Sequence, residues 1–156
     1  MGAPANYPDL FDARTLDATI ARINALTPAS QPVWGKMNAA QMLAHCCVTY
    51  EMVYTDKHPR PNPIMRWVLK KIVKAKVVGP DPYPKNTPTA PAFRITDARE
   101  FDAERERLIA YLRRAQQDGP RFYEGHPSLS FGPLTAAEWR VLFGKHLDHH
   151  LQQFGV

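Results

Sequence analysis

Cysteine is scarce in this chain: Cys46 and Cys47 stand side by side and there are no others. Neighbouring cysteines bridge each other only by straining the peptide between them, so no disulfide framework is expected. The pair also lacks the two-residue spacer of zinc and redox motifs. It reads as two small apolar residues on a buried helix, a redox or metal role being the lesser alternative. No apolar run reaches the roughly 18 residues that would cross a bilayer. Residues 1–8 lack the basic and apolar regions of a secretory leader, and the expected location is cytoplasmic. There is no internal repeat, no low-complexity tract and no convincing strand alternation.

Negative charge is missing from one stretch. Residues 57–80 contain no Asp or Glu, whereas Arg60, Arg66, Lys70, Lys71, Lys74 and Lys76 all fall there. Much of the formal net charge of +5 is concentrated in this way. The stretch reads first as a solvated helix face. Attraction of an anionic substrate, or binding to nucleic acid or a lipid surface, are alternatives. No groove-reading motif accompanies it, so the expected partner is a small-molecule substrate, with no nucleic acid and no membrane.

What is present is a length of 156 residues with 44% hydrophobic and 22% charged residues, which fits one globular domain over 1–156. The pattern predicts a helix over 16–26 with Thr15 as its cap and Ile20, Ile23 and Leu26 on one stripe. Asn38 and Gln41 have capping-box spacing, and the helix they open runs to about residue 54. That helix is apolar on nearly every side, so it should lie between others. A basic amphipathic helix is predicted over 64–77, with Trp67, Val68, Ile72 and Ala75 on one face. Residues 79–92 hold Pro80, Pro82, Pro84, Pro88 and Pro91 and should form a long ordered loop. Asp97 and Glu100 suggest the start of a helix that Gly119-Pro120 should end. A second loop over 121–134 follows. Thr135 and Glu138 then box the last helix, which reaches about residue 154. Four main helices with one short extra helix predict an all-α bundle.

Six histidines are present. At about 100° per residue, His150 lies about 40° from His146, and His149 about 60° the other way. The apolar stripe of the last helix is Trp139, Leu142, Phe143, His146, His150, Gln153 and Phe154, with His149 at its edge. His146 and His150 thus point inward one turn apart, a spacing that lets two imidazoles reach one ion. On the second helix His45 shares an uncharged face with Gln41, Met42, Thr49 and Met52. Two readings fit: three separately satisfied interior histidines, or one metal held by all three. Buried histidines without partners are costly, and a metal satisfies them together while leaving coordination positions open. His126, next to Pro127, is either a turn residue or a catalytic candidate at the site mouth. His149 is a second catalytic candidate, and His58 reads as a surface residue. Gln41 and Gln153, on the histidine faces, are either ligand-orienting or rim residues.

The segment from Asn38-Ala39-Ala40-Gln41-Met42-Leu43-Ala44 to His45 resembles the second-helix motif of the DinB-like (YfiT-like) superfamily. Lys145-His146-Leu147-Asp148-His149-His150, continuing to Phe154, resembles its final-helix motif. Trp34-Gly35-Lys36-Met37, Phe131-Gly132-Pro133-Leu134 and Glu138-Trp139 are similar to an uncharacterised bacterial subfamily of it. The resemblance implies an up-down-down-up four-helix bundle. It implies a divalent metal, commonly nickel or zinc, held by His45, His146 and His150. Characterised relatives include transferases and isomerases that use a low-molecular-weight thiol, and relatives are often homodimers. The implied function is a metal-dependent thiol S-transferase or isomerase. A metal-dependent hydrolase and a non-catalytic metal or small-molecule binding protein are the alternatives. The Pro-rich loop over 79–92 departs from the simplest members, so the pocket mouth should differ.

Overall fold

The computed structural model describes residues 6–156, and its architecture is all-α. The helices are α1 (Ala13–Asn24), α2 (Ala39–Tyr54), α3 (Pro63–Val68), α4 (Lys74–Val78), α5 (Phe101–Tyr123) and α6 (Ala136–Gln153). A π-helical turn, Leu69–Val73, joins α3 to α4, and a 3₁₀ turn forms at Pro91–Phe93. Among the described residues no helix is long and apolar enough to cross a membrane.

α2 packs against α5 and α6, α5 also against α1 and α6, and α4 against α6. Every residue of α2 from Ala39 to Glu51, except Gln41, is buried, as its all-round apolar pattern predicts. Its Asn38–Gln41 box is formed in both directions, and so is the Thr135–Glu138 box of α6. Cys46 and Cys47 are free and buried. Burial raises both thiols, Cys47 to about 12, so neither is an available thiolate.

Several local expectations are corrected. Asp12, not Thr15, caps α1: its carboxylate accepts from both the backbone N and the hydroxyl of Thr15, each at 2.8 Å. A carboxylate one turn earlier offers two acceptors and lets the helix begin at Ala13. Glu100, not Asp97, caps α5, accepting from Asp102 N and Ala103 N. Asp97 is instead engaged by Arg99. Gly119 does break α5, with φ 71°, but a further turn from Pro120 to Tyr123 follows. Proline suits a first helical position, and the extra turn buries Tyr123 completely. The loop over 121–134 also carries a two-residue antiparallel ladder, β1 (Pro127–Ser128) with β2 (Gly132–Pro133). So short a ladder has no room to show alternation.

The largest correction concerns the basic helix. Trp67 and Ile72, on the predicted apolar face, are 62% and 57% exposed. Leu69, Val73 and Val77 pack against the core instead. These three residues, spaced i, i+4, i+8, make the inner stripe through the π turn and α4, opposite the face that carries Trp67 and Ile72.

Candidate metal centre

Two helices supply the histidines, and local sequence fixes the phase of each. On α6 the rings of His146 and His150 lie 4.9 Å apart between centroids. The ring of His45, from α2, lies 5.0 and 4.4 Å from them. One ring nitrogen from each of the three falls within 4.8 Å of the other two. His45 and His150 are buried, and His146 is nearly so.

The outer nitrogens are held by the fold. His45 Nδ1 lies 2.8 Å from the carbonyl of Phe93, which can only accept, so Nδ1 carries the proton. The 3₁₀ turn Pro91–Phe93 aims that carbonyl. Gln153 Nε2 donates to the Trp34 carbonyl at 2.8 Å, which turns its Oε1 toward His150 Nδ1, also at 2.8 Å. His150 Nδ1 is therefore a donor too. The Nε2 atoms of His45 and His150 are left as lone pairs. His146 Nε2 sits 3.0 Å from His45 Nε2, and its Nδ1 is 3.3 Å from the hydroxyl of Thr49. That hydroxyl both donates and accepts, so His146 can present either a proton or a lone pair inward. Converging lone pairs, each set by an acceptor on the far side of the ring, are what a divalent cation needs. Neutral imidazoles suit zinc, nickel and related ions.

Replacing Gln153 with Leu would leave both His150 Nδ1 and the Trp34 carbonyl unpartnered. Metal affinity, measured by competition with a chelator, should fall about 10–100-fold. Unchanged affinity would show that Gln153 does not orient His150.

Burial lowers the pKa of all three histidines. In His150 it acts with the neighbouring His45 charge and brings the value down to about 3. His146 is pushed well below the ordinary 6.5 by burial and then by His150 and His45. Depressed folded values mean that the unfolded chain binds more protons once pH falls below about 6.5, so stability declines from there downward. Each such proton adds about 1.4 kcal/mol per pH unit to the slope. Urea midpoints of chelator-treated protein should therefore drop steeply from pH 6.5 to 5, and a His45/His146/His150→Gln variant should flatten that arm. A parallel pair of profiles would contradict the burial argument.

The triad opens on a cleft of about 990 Å³. His149 also lines it, half-buried, with its ring edge-on to Trp34 and Tyr83 at 5.5 and 5.6 Å. Gln41 lines it too, though its side chain is occupied by the α2 box and by the Asp97 carbonyl. His126 is placed elsewhere: it does not line the cleft, and its ring stacks on Phe122 at 4.8 Å. His58 is not a surface residue. Its Nε2 lies 2.7 Å from buried Glu51, and its side chain is 12% exposed.

Sequence reasoning missed the roles of Thr49 and Phe93. Thr49 had a signal, since it follows His45 by one turn on the same face. The Phe93 carbonyl had none, because it is a backbone group in a loop. Also missed was Lys145, 1% exposed, whose ammonium donates to the carbonyls of Lys76, Gly79 and Asp81 at 2.6–2.8 Å. On the same helix, a side chain at Gly144 would collide with the Pro8 carbonyl, so the glycine lets residues before α1 lie against α6.

No curated protein and no solved structure matches the chain. Over residues 6–155 it matches the family described as protein of unknown function, DUF1569, and it belongs to that family.

Proposed function

We propose that His45, His146 and His150 hold one divalent metal ion, zinc or nickel, and that the cleft beside them is the active site of a DinB-like metalloenzyme. In this reading α1, α2, α5 and α6 form the up-down-down-up bundle of that superfamily, with α3, α4 and the Pro-rich loop added at the cleft. The observation that carries it is the convergence of three buried imidazoles whose outer nitrogens are held by Phe93, Gln153 and Thr49.

A divalent cation held there would lower the pKa of a coordinated thiol or water and so supply a nucleophile at neutral pH. The chain's own residues perform the rest. Phe93 and Gln153 hold two rings in the tautomer that directs Nε2 inward. The apolar residues of the walls lower the local dielectric and so strengthen electrostatic interactions within the cleft. His149, in the cleft and outside the triad, is placed to exchange a proton with a reacting group, and burial keeps it neutral by lowering its pKa. The favoured reaction is transfer or isomerisation using a low-molecular-weight thiol. Hydrolysis would use the same residues with water in place of the thiol.

Untagged protein should carry near-stoichiometric metal by elemental analysis. The His45/His146/His150→Ala variant should carry none, while His126→Ala should keep it, since that ring lies outside the cleft. Metal retained by the triple variant would overturn the ligand set. A loaded protein inert toward a panel of electrophiles with and without thiols would point to a binding protein instead.

A further inference from the structure

The walls of the cleft say what kind of molecule enters it. We infer that the ligand is a predominantly apolar anion: an extended hydrocarbon-rich body lies along the walls and a single negative group faces the histidines. That placement of the negative group rests on the metal reading above, whereas the ligand class rests on the walls themselves.

Carbon dominates those walls. Met52 and Val53 come from α2, Leu69, Val73 and Val77 from the π turn and α4, and Leu142 from α6. The volume of about 990 Å³ lies at the upper end of ordinary small-molecule sites, roughly 300–1,000 Å³. A small inorganic anion would leave most of this surface wet.

Charge is one-sided. Among the described residues lining the cleft there is no Asp or Glu, and apart from histidine the charged side chains are Lys36 and Arg94. The carboxylates of α6 that flank the triad in sequence are engaged elsewhere. Asp148 pairs with Arg22 at 2.8 Å and accepts from Gln152, and Glu138 closes the α6 box and pairs with Lys74. Three neutral imidazoles do not offset a divalent charge, and nothing else in the cleft does so. In a low-dielectric cleft such a charge calls for a counter-charge, which the negative group of an entering molecule can supply. An organic cation would meet repulsion from Lys36, Arg94 and the ion together.

Three probes of equal chain length separate the possibilities: octanoate, octan-1-ol and octyltrimethylammonium. Trp34 and Trp139 both line the cleft, so quenching of their fluorescence reports occupancy. Titrations are run on chelator-treated and on zinc-loaded protein. In the metal-free form octanoate should bind about 10-fold tighter than octanol, with the cation weakest. Zinc should strengthen octanoate about 10-fold more and leave octanol unchanged. Acetate should bind at least about 100-fold more weakly than octanoate, since each buried CH₂ contributes about 0.8 kcal/mol. Met52→Asp should invert the order of octanoate and the cation, and Met52→Asn should preserve it. Octanol or the cation binding as tightly as octanoate would overturn the inference, as would acetate matching octanoate. Failure of zinc to remain bound would refute the metal reading, while the order in metal-free protein would still decide the ligand class. Retained zinc with the order lost would refute the ligand class alone.

Discussion

Lys145→Met should unfold with a loss of about 3–5 kcal/mol of stability, read from its urea midpoint. Methionine matches the lysine stem in volume, so little packing is lost. What disappears is an ammonium whose three donors are all used, on the carbonyls of Lys76, Gly79 and Asp81. Two of these carbonyls lie at or just past the end of α4, where they have no partner within the helix and where a cation is favoured by the dipole. Burial lowers the lysine's pKa, partly offset by Asp81, so the site does carry a desolvation cost. Once the chain has met that cost, deleting the ammonium leaves three carbonyls orphaned, each worth about 1–3 kcal/mol if it stays dry. The consequence reaches the cleft. Val77 and Tyr83 both line it and flank the pinned segment, so zinc-loaded Lys145→Met should also lose amide-exchange protection over 77–83. A loss under about 1 kcal/mol with protection unchanged would mean that water takes over the three carbonyls.

The metal candidates were legible in the sequence because helical phase is a strong constraint. The His146–His150 stripe and the uncharged face around His45 depend only on rotation per residue and on apolar neighbours, and both kinds of information are local. The reading of α3 and α4 failed for the complementary reason. Trp67 precedes the π turn at Leu69–Val73 and Ile72 lies within it; both end up outward because packing against the core selects the opposite stripe, Leu69, Val73 and Val77. Nothing in the residues 69–73 marks that turn, since leucine, lysines, isoleucine and valine all tolerate ordinary helix. The cap errors at Thr15 and Asp97 share one cause: each segment offers two polar residues with capping chemistry three positions apart, and the residue pattern does not choose between them. Lys145 was illegible because its partners are backbone carbonyls distant in sequence, and His58 because the chain past the end of α2 folds back onto the buried Glu51. A charged residue within an amphipathic pattern reads as solvent-facing unless the pairing group is known.

Glu51→Ala should cost about 3–5 kcal/mol, because it removes the negative centre of a buried charge cluster. Glu51 is 2% exposed and receives Lys57 at 3.2 Å, His58 at 2.7 Å and Arg107. Arg107 also reaches Glu104 at 2.6 Å, so the cluster ties α2 to α5. The partners contribute unequally. The Lys57 side chain is 57% exposed, and its bond is screened, so Lys57→Ala should cost less than about 1 kcal/mol. His58 and Arg107 are more enclosed; Arg107 keeps Glu104, so most of the loss comes from stranding His58 and from cutting the α2–α5 tie. Burial raises the Glu51 pKa, but the hydrogen bonds from His58, Arg107 and Lys57 outweigh it and hold the carboxyl below its ordinary 4.5. A depressed folded value means that the stabilisation is present above about pH 4.5 and is lost as pH falls below it. Acid unfolding therefore has two separable arms, a histidine arm that begins near pH 6.5 and a carboxylate arm that begins near pH 4.5. Glu51→Gln should remove its share of the lower arm and leave the upper one as steep as in the parent chain. If Glu51→Gln instead flattened the upper arm, assigning the two arms to separate groups would be wrong.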